Sequence, residues 1–314
     1  MLSLLCPRCG GVMTRFPQCS CGSSVPCVGG VYQFTQKASA HLTGPGPHYL
    51  GYGSWGRASG IPAYYAACSA KLAQLVGREA WCVDVGTGYG QVPLQIAAAG
   101  GRTLAVDISP TVLKVLRQQS IEVGAAEQIL CARMDAYHLA LAPESVAVVL
   151  LNSIFPMLDT PELVLREAAR VLRPDGYMVM YGQRTVEPWE PDLCERAEQE
   201  LFAAFERCLA RSGWGRVWFG ETEETRTCAH FQTPMCVSAG PPVACTFRLG
   251  EKLRRLEENG FNRYQHIPQT VYRRAWREAW DWVREQYGPD CANLASCRLE
   301  EPVLYLYRKA EERL

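Results

Sequence analysis

Acidic side chains are missing from the first 78 residues of this chain, which hold six basic ones (Arg8, Arg15, Lys37, Arg57, Lys71 and Arg78). The 314 residues together carry 32 Lys and Arg against 32 Asp and Glu, so the net charge is zero. The amino-terminal piece is thus a modest positive face, far below the dense basic patch that marks a dedicated nucleic-acid binder. Also missing is any apolar run of the eighteen or more residues that a membrane-spanning helix needs. The opening MLSLL meets Cys6 and Pro7 before a signal-peptide core could form. No internal repeat or low-complexity tract occurs, and histidine is scarce. His41, His48, His138, His230 and His266 sit in positions where packing or exposure explains them as well as base catalysis does, so no catalytic base is named.

Cysteine, by contrast, is abundant, at fifteen residues. Several, such as Cys82 and Cys131, stand inside apolar strand-like runs where a thiol packs as a small hydrophobe, which points to a reducing, cytoplasmic compartment. The amino terminus differs. Cys6-Pro7-Arg8-Cys9-Gly10 and Cys19-Ser20-Cys21-Gly22 form two close cysteine pairs across a short loop, the pattern of a four-thiolate zinc ribbon. A stretch this short has little core of its own, and a metal would supply its folding energy. The second pair is C-x-C rather than C-x-x-C, which leaves Cys27 as a substitute ligand for Cys19 or Cys21. Four thiolates close the coordination shell, so the zinc is expected to be structural.

The densest signal is Val83-Asp84-Val85-Gly86-Thr87-Gly88-Tyr89-Gly90, a buried strand from Trp81 running into a glycine turn and then a helix from Gln91 to Ala99. Alternate glycines let backbone approach a ligand, and the helix N-terminus offers free N–H groups. The order G-x-G-x-G, with Asp84 two residues ahead, departs from the G-x-G-x-x-G of dinucleotide folds. It resembles motif I of the class I S-adenosylmethionine (SAM)-dependent methyltransferases. A second strand, Gly101 to Val106, ends in Asp107-Ile108-Ser109-Pro110, where an acid is placed to take both ribose hydroxyls of a nucleoside. A third, Glu127 to Arg133, leads to Met134-Asp135-Ala136-Tyr137, whose acid in the family bonds the adenine amino group. Val146 to Asn152 is a fourth strand, Pro161 to Leu172 an amphipathic helix, and Arg173-Pro174-Asp175-Gly176 a turn into Tyr177 to Tyr181, similar to the family's "RVLRPGG" segment. The resemblance covers about Trp81 to Gly182 and implies a Rossmann-like, seven-stranded α/β sheet. It implies cofactor contacts from Asp84, Gly86, Thr87, Gly88, Gly90, Asp107, Ile108, Asp135, Ala136 and Asn152.

The same resemblance reads Leu249 to Asn259 with Phe261 to Ile267 as the next helix and strand of the sheet, and Pro302 to Tyr307 as its antiparallel last strand. The expected organisation is a zinc ribbon at 1–36, a linker and cover helix at 37–80, a SAM-binding domain at 81–183 plus 249–310, and an inserted substrate cap at 184–248. Tyr49, Tyr52, Trp55, Tyr64 and Tyr65 are candidates for a cover over the cofactor. In the helix Val271 to Tyr287, Trp276 and Trp280 lie at i and i+4 with Tyr272 and Val283 on the same face, an aromatic stripe that serves either as core or as a pocket wall. Trp214, Trp218 and Phe219 are candidates for the opposite wall.

After the fourth strand, Asn152-Ser153-Ile154-Phe155 matches only the ends of the tetrapeptide used by methyltransferases of exocyclic and amide nitrogens. The expected reaction is therefore O- or C-methylation of a small apolar acceptor. Two alternatives remain: an RNA methyltransferase, because certain rRNA guanine methyltransferases also place a zinc ribbon ahead of this fold, and a SAM-binding scaffold without catalysis. The residues leave the oligomeric state open.

Overall fold

The computed structural model describes residues 2–35, 63–77, 80–155, 158, 160–186, 190–214, 230–258, 264 and 267–310. A short hairpin, β1 (Cys27–Val28) and β2 (Val31–Gln33), is followed by α1 (Ala63–Val76), β3 (Trp81–Val85), α2 (Gln91–Ala98), β4 (Arg102–Asp107), α3 (Pro110–Glu122) and β5 (Ile129–Arg133). Then come β6 (Val146–Leu150), α4 (Pro161–Val171), β7 (Leu172–Thr185), α5 (Leu193–Arg211), β8 (Met235–Ser238) and β9 (Val243–Arg248). The chain continues through α6 (Leu249–Glu257) and α7 (Gln269–Tyr287) to β10 (Ala295–Tyr307).

The sheet runs β5-β4-β3-β6-β7-β10-β8, parallel from β5 to β7 and antiparallel at β10. These seven strands are the Rossmann-like methyltransferase sheet. Its central strands are apolar on both sides, as a parallel sheet covered on both faces requires. Val83, Leu104 and Val106 bury on the face that receives α4 through Val164, Leu165 and Ala168. Cys82, Val148 and Leu304 face α1 and α2 through Cys68, Leu72 and Ile96, and Ala105 and Cys131 face α3 through Leu113 and Leu116. Because the chain steps outward from β3 to β5 and returns to β6 on the other side of β3, the carboxyl ends of β3 and β6 flank a topological switch point, the place where open α/β sheets bind ligands.

The amino-terminal ribbon is part of this core. Strand β2 adds in parallel to the edge of β5, with Val31 opposite Cys131, and Leu4 bridges to Leu141. Leu4, Cys6, Met13, Val25 and Phe34 bury in one cluster with Val83, Val106, Leu139 and Leu141. The connection from β5 to β6 has no helix in residues 134–145, so the ribbon covers a sheet face that a crossover helix would otherwise cover.

Three readings from the sequence are corrected by this arrangement. The helix Leu249–Glu257 does not pack on the sheet, and most of the expected strand Phe261 to Ile267 lies outside the described residues. Leu249, Leu253, Leu256, Tyr264 and Ile267 instead pack with α5 and α7, and Met235–Ser238 occupies the outer strand position beyond β10. Residues 261–263, 265 and 266 lie outside the described residues. Arg173 to Gly176 lies within β7 rather than ahead of it: the four residues, the first three exposed, are taken up opposite Ala147 between the pairs Val146–Leu172 and Val148–Tyr177. The last strand is longer than Pro302 to Tyr307. Its first half, Ala295 to Glu300, extends past the end of β7 as a ribbon with β9.

That extension carries a helical unit at the carboxyl end of β7. Helices α5, α6 and α7 share their own cluster, centred on Phe205, whose ring meets Tyr264 at 5.0 Å and Tyr272 at 5.1 Å edge-on. A reciprocal capping box starts α5: Glu195 N–H donates to Asp192 Oδ1 at 2.9 Å and Asp192 N–H to Glu195 Oε2 at 3.1 Å. Arg298 ties the unit to β10, bonding Glu195 Oε1 at 3.1 Å and pairing with the buried Glu300.

Candidate functional site

The glycine loop and the acids at the strand ends converge on the switch point. Asp84, 2% exposed, accepts a hydrogen bond from the Thr87 hydroxyl at 2.6 Å. Burial pushes its carboxyl up to about 7, against the effect of the Thr87 donor, and the nearby Asp107 charge adds to the rise. Asp107, at the end of β4, accepts the Gly88 N–H on Oδ2 at 2.9 Å and the Ser109 N–H on Oδ1 at 2.9 Å. Burial raises its carboxyl and these amides oppose the rise. A carboxylate offers about four acceptor sites, so the amides of Gly88, Ser109 and Ile108 do not exhaust Asp107.

The three glycines are needed for different reasons. A Cβ on Gly86 would stand 2.6 Å from Ile154 Cδ1, and one on Gly90 2.0 Å from Leu116 Cδ1. Gly88, at φ +54°, would meet nothing within 4 Å, so its face of the turn opens onto free space. Ile154 thus presses the loop from the β6 side, a contact no motif announces.

The remaining predicted residues are distributed around this opening. Asp135, 7% exposed, follows β5 and accepts the Tyr137 N–H on Oδ1 at 3.0 Å. Ile108 accepts Arg133 Nε on its carbonyl at 3.0 Å, and Ala136 packs partly buried against the main core. Asn152 accepts the Tyr181 N–H on Oδ1 at 2.9 Å, which ties the end of β6 to β7 and commits that oxygen to the backbone. Tyr65 is buried against Tyr181 and Leu72, so it fastens α1 to the sheet, and Tyr64 packs partly buried beside it. Tyr49, Tyr52, Trp55, His41, His48, His266, Trp218 and Phe219 lie outside the described residues. His138 is exposed, and His230 Nε2 stands 2.5 Å from Glu162.

The aromatic stripe on α7 is mainly the helical unit's own core. Tyr272, Ala275, Ala279 and Val283 are buried, whereas Trp276 and Trp280 are partly buried beside them. Trp214 packs at the edge of the same cluster.

At the amino terminus, the Sγ atoms of Cys6, Cys9, Cys19 and Cys21 all lie within 4.8 Å of one another. Cys6 and Cys21 are 3.8 Å apart and Cys9 and Cys19 3.6 Å, close to the edge of roughly 3.8 Å that a tetrahedron with 2.3 Å metal–sulfur bonds has. Cys27, exposed on β1, is not in the group, so the C-x-C pair itself completes the set. The Ser23 hydroxyl, 3.0 Å from both Cys6 and Cys21, favours the thiolate form of each and brings Cys6 down to about 6. The Gly11 amide favours the Cys9 thiolate, and the neighbouring thiols of Cys21, Cys19 and Cys6 outweigh it and raise Cys9. Such a donor set suits a soft four-coordinate cation.

Residues 83–180 match the family described as a methyltransferase domain. The malonyl-[acyl-carrier protein] O-methyltransferase of Laribacter hongkongensis is 32% identical over 101 residues, covering 30% of this chain and 33% of that protein. The sterol 4-C-methyltransferase strm-1 of Caenorhabditis elegans is 25% identical over 113 residues, covering 35% of this chain and 33% of that protein. The chain therefore spans about a third of the length of these two relatives. The solved YcgJ protein from Bacillus subtilis shares the fold, with a TM-score of 0.50 at 16% identity over 79% of this chain and all of that one. Glycine loop, strand-end acids, strand order and family match agree: the chain carries a class I SAM-dependent methyltransferase domain.

Proposed function

We propose that this protein transfers the methyl group of SAM to the oxygen or carbon of a small, largely apolar acceptor, and that its four ribbon thiolates hold a structural zinc. The observation that carries the reading is the Asp84–Thr87 and Gly88–Asp107 constellation, with free space opposite Gly88 alone among the three loop glycines. When bound, SAM supplies an activated methyl group on a sulfonium. The chain's part is to bind, orient and exclude water. Asp107 takes the ribose hydroxyls with the acceptor capacity that its backbone amides leave. Asp135, flanked by Ile108 and Ala136, takes the adenine edge, and Asp84 with Thr87 keeps the loop in shape. Asn152, held by Tyr181, closes the β6 side.

O- and C-methylation are the activities by which the two curated relatives are named, in keeping with the choice of atom proposed here. Burial of the ribbon's apolar residues in the sheet core favours a structural metal over an RNA-gripping module. The described cysteines are all free thiols, in keeping with a reducing cytoplasm. No helix among the described residues is long and apolar enough to cross a membrane.

Incubation with methyl-labelled SAM and separate small-molecule, protein and RNA extracts tests the reading. Label in an apolar small-molecule fraction supports it. Label in RNA overturns the acceptor, and SAM binding without transfer to any fraction would leave a scaffold.

A further inference from the structure

At the amino-terminal half of α7, against the end of α6, lies a cavity of about 270 Å³ lined by Glu257, Tyr272, Arg273, Trp276 and Arg277. Helical spacing sets Tyr272 with Trp276 and Arg273 with Arg277 at i and i+4, giving an aromatic row beside a cationic row. The Tyr272 hydroxyl is committed, donating to the Leu256 carbonyl at 2.6 Å, so its ring serves as floor. The indole Nε1 of Trp276 is shut off from solvent and has no acceptor. The neighbouring arginines are engaged: Arg211 with Glu278 at 2.8 Å, Arg274 with the Ser212 hydroxyl at 2.8 Å, and Arg284 with Asp281 and over the Trp280 ring. Arg273 and Arg277 have no such partner among the described residues. They precede the first acid of the helix, Glu278.

We infer that this pocket binds the anionic group, carboxylate or phosphate, of a ligand whose apolar body lies against Tyr272 and Trp276. Two guanidinia supply charge and paired donors, and the Trp276 ring supplies an apolar wall beside them. Glu257 on the opposite wall keeps the anion on the α7 side and leaves the lining at a net charge of +1. The volume is just under the roughly 300 Å³ at which whole-ligand pockets begin, which suits a head group with one ring. The inference goes beyond the proposed function: it assigns a ligand site to the helical unit, and the binding does not rest on methyl transfer.

Titration calorimetry of the full chain with 1-naphthyl phosphate, 1-naphthoate and the neutral 1-naphthalenemethanol tests it. At least one anion should bind about tenfold or more tightly than the neutral compound, and the preferred anion identifies the head group. Arg273→Gln and Arg277→Gln, both at exposed positions, should each weaken that anion by about tenfold. Trp276→Ala, which removes the apolar wall, should weaken the anion and the neutral compound alike. Equal binding of neutral and anionic compounds, no binding of either anion, or wild-type affinity in both arginine variants would overturn the inference. S-adenosylhomocysteine titrated in parallel separates the two readings, because its failure to bind alongside retained anion binding would remove methyl transfer and leave the pocket.

Discussion

The ribbon and the helical unit both flank the same sheet, but they relate to its core in opposite ways. Leu4, Met13, Val25 and Phe34 of the ribbon lie in one cluster with Val83, Leu139 and Leu141, and β2 extends the sheet itself. The helical unit has a cluster of its own around Phe205, Leu256, Tyr272 and Val283, and reaches the sheet through the β9–β10 extension and the Glu195–Arg298–Glu300 ion pairs. Size accounts for the difference. Three helices can bury enough apolar surface among themselves, while some thirty residues of hairpins and knuckles cannot. A module that looks separable because of its motif is thereby the more integrated of the two.

Breaking each region in turn should expose this asymmetry. Cys6→Ser or Cys9→Ser should release the zinc and lower the melting temperature of the entire sheet domain, with loss of SAM affinity, since ligand loss removes folding energy from a shared core. Phe205→Ala should cost about 3–5 kcal/mol within the helical unit and leave zinc content and S-adenosylhomocysteine affinity intact. Metal analysis, thermal melts and calorimetric titration on the same samples check both, and a zinc-free Cys6→Ser protein with the wild-type melting point would refute the shared core.

The cofactor site can be probed independently of either flank. Gly88→Val should abolish SAM binding, because its side chain enters the free space of the turn and its left-handed backbone is strained. Gly86→Val shares the left-handed strain, at φ +74°, and adds a clash with Ile154.

Asp84 links the site to stability through pH. Its folded carboxyl titrates at about 7, above the ordinary value near 4, so between those values the folded chain binds more protons than the unfolded one and stability falls as pH rises. Asp84→Asn should therefore stabilise the protein by about 2 kcal/mol more at pH 8 than at pH 5.5, as read from denaturation at the two pH values. An equal effect at both would mean that Asp84 is not a buried titrating group. Asp107→Ala should lose about 1.5–3 kcal/mol in SAM affinity on titration.

The fold was largely legible between Trp81 and Tyr181, because strands buried on both faces are continuous apolar runs and the glycine turn has a recognisable order. The acids Asp84, Asp107 and Asp135 were found by their place at strand ends, and the structure brings each to that place. Beyond Gly182 the reading failed where it relied on order alone. The run from Leu249 has the amphipathic spacing of a sheet-packing helix, but periodicity says which face is apolar and not what covers it. Met235–Ser238 escaped notice because a four-residue strand at a sheet edge, largely exposed, has no apolar alternation to mark it. Ile154 against Gly86, and Arg273 and Arg277 without partners beside a closed indole N–H, have no local signature at all.

What the sequence determined by itself was therefore chemistry and local form: four thiols at zinc spacing, a nucleoside-type glycine turn, acids at strand ends and an aromatic helix. Tertiary structure alone decided the company these elements keep. It placed Cys19 and Cys21 rather than Cys27 with the first pair, joined the ribbon to the sheet core, and left the sheet's outer edge to β8 while α6 and α7 went to α5. The physical reason is that backbone preferences and ligand spacings act over a few residues, whereas burial is shared among any surfaces that can exclude water together, whatever their distance along the chain.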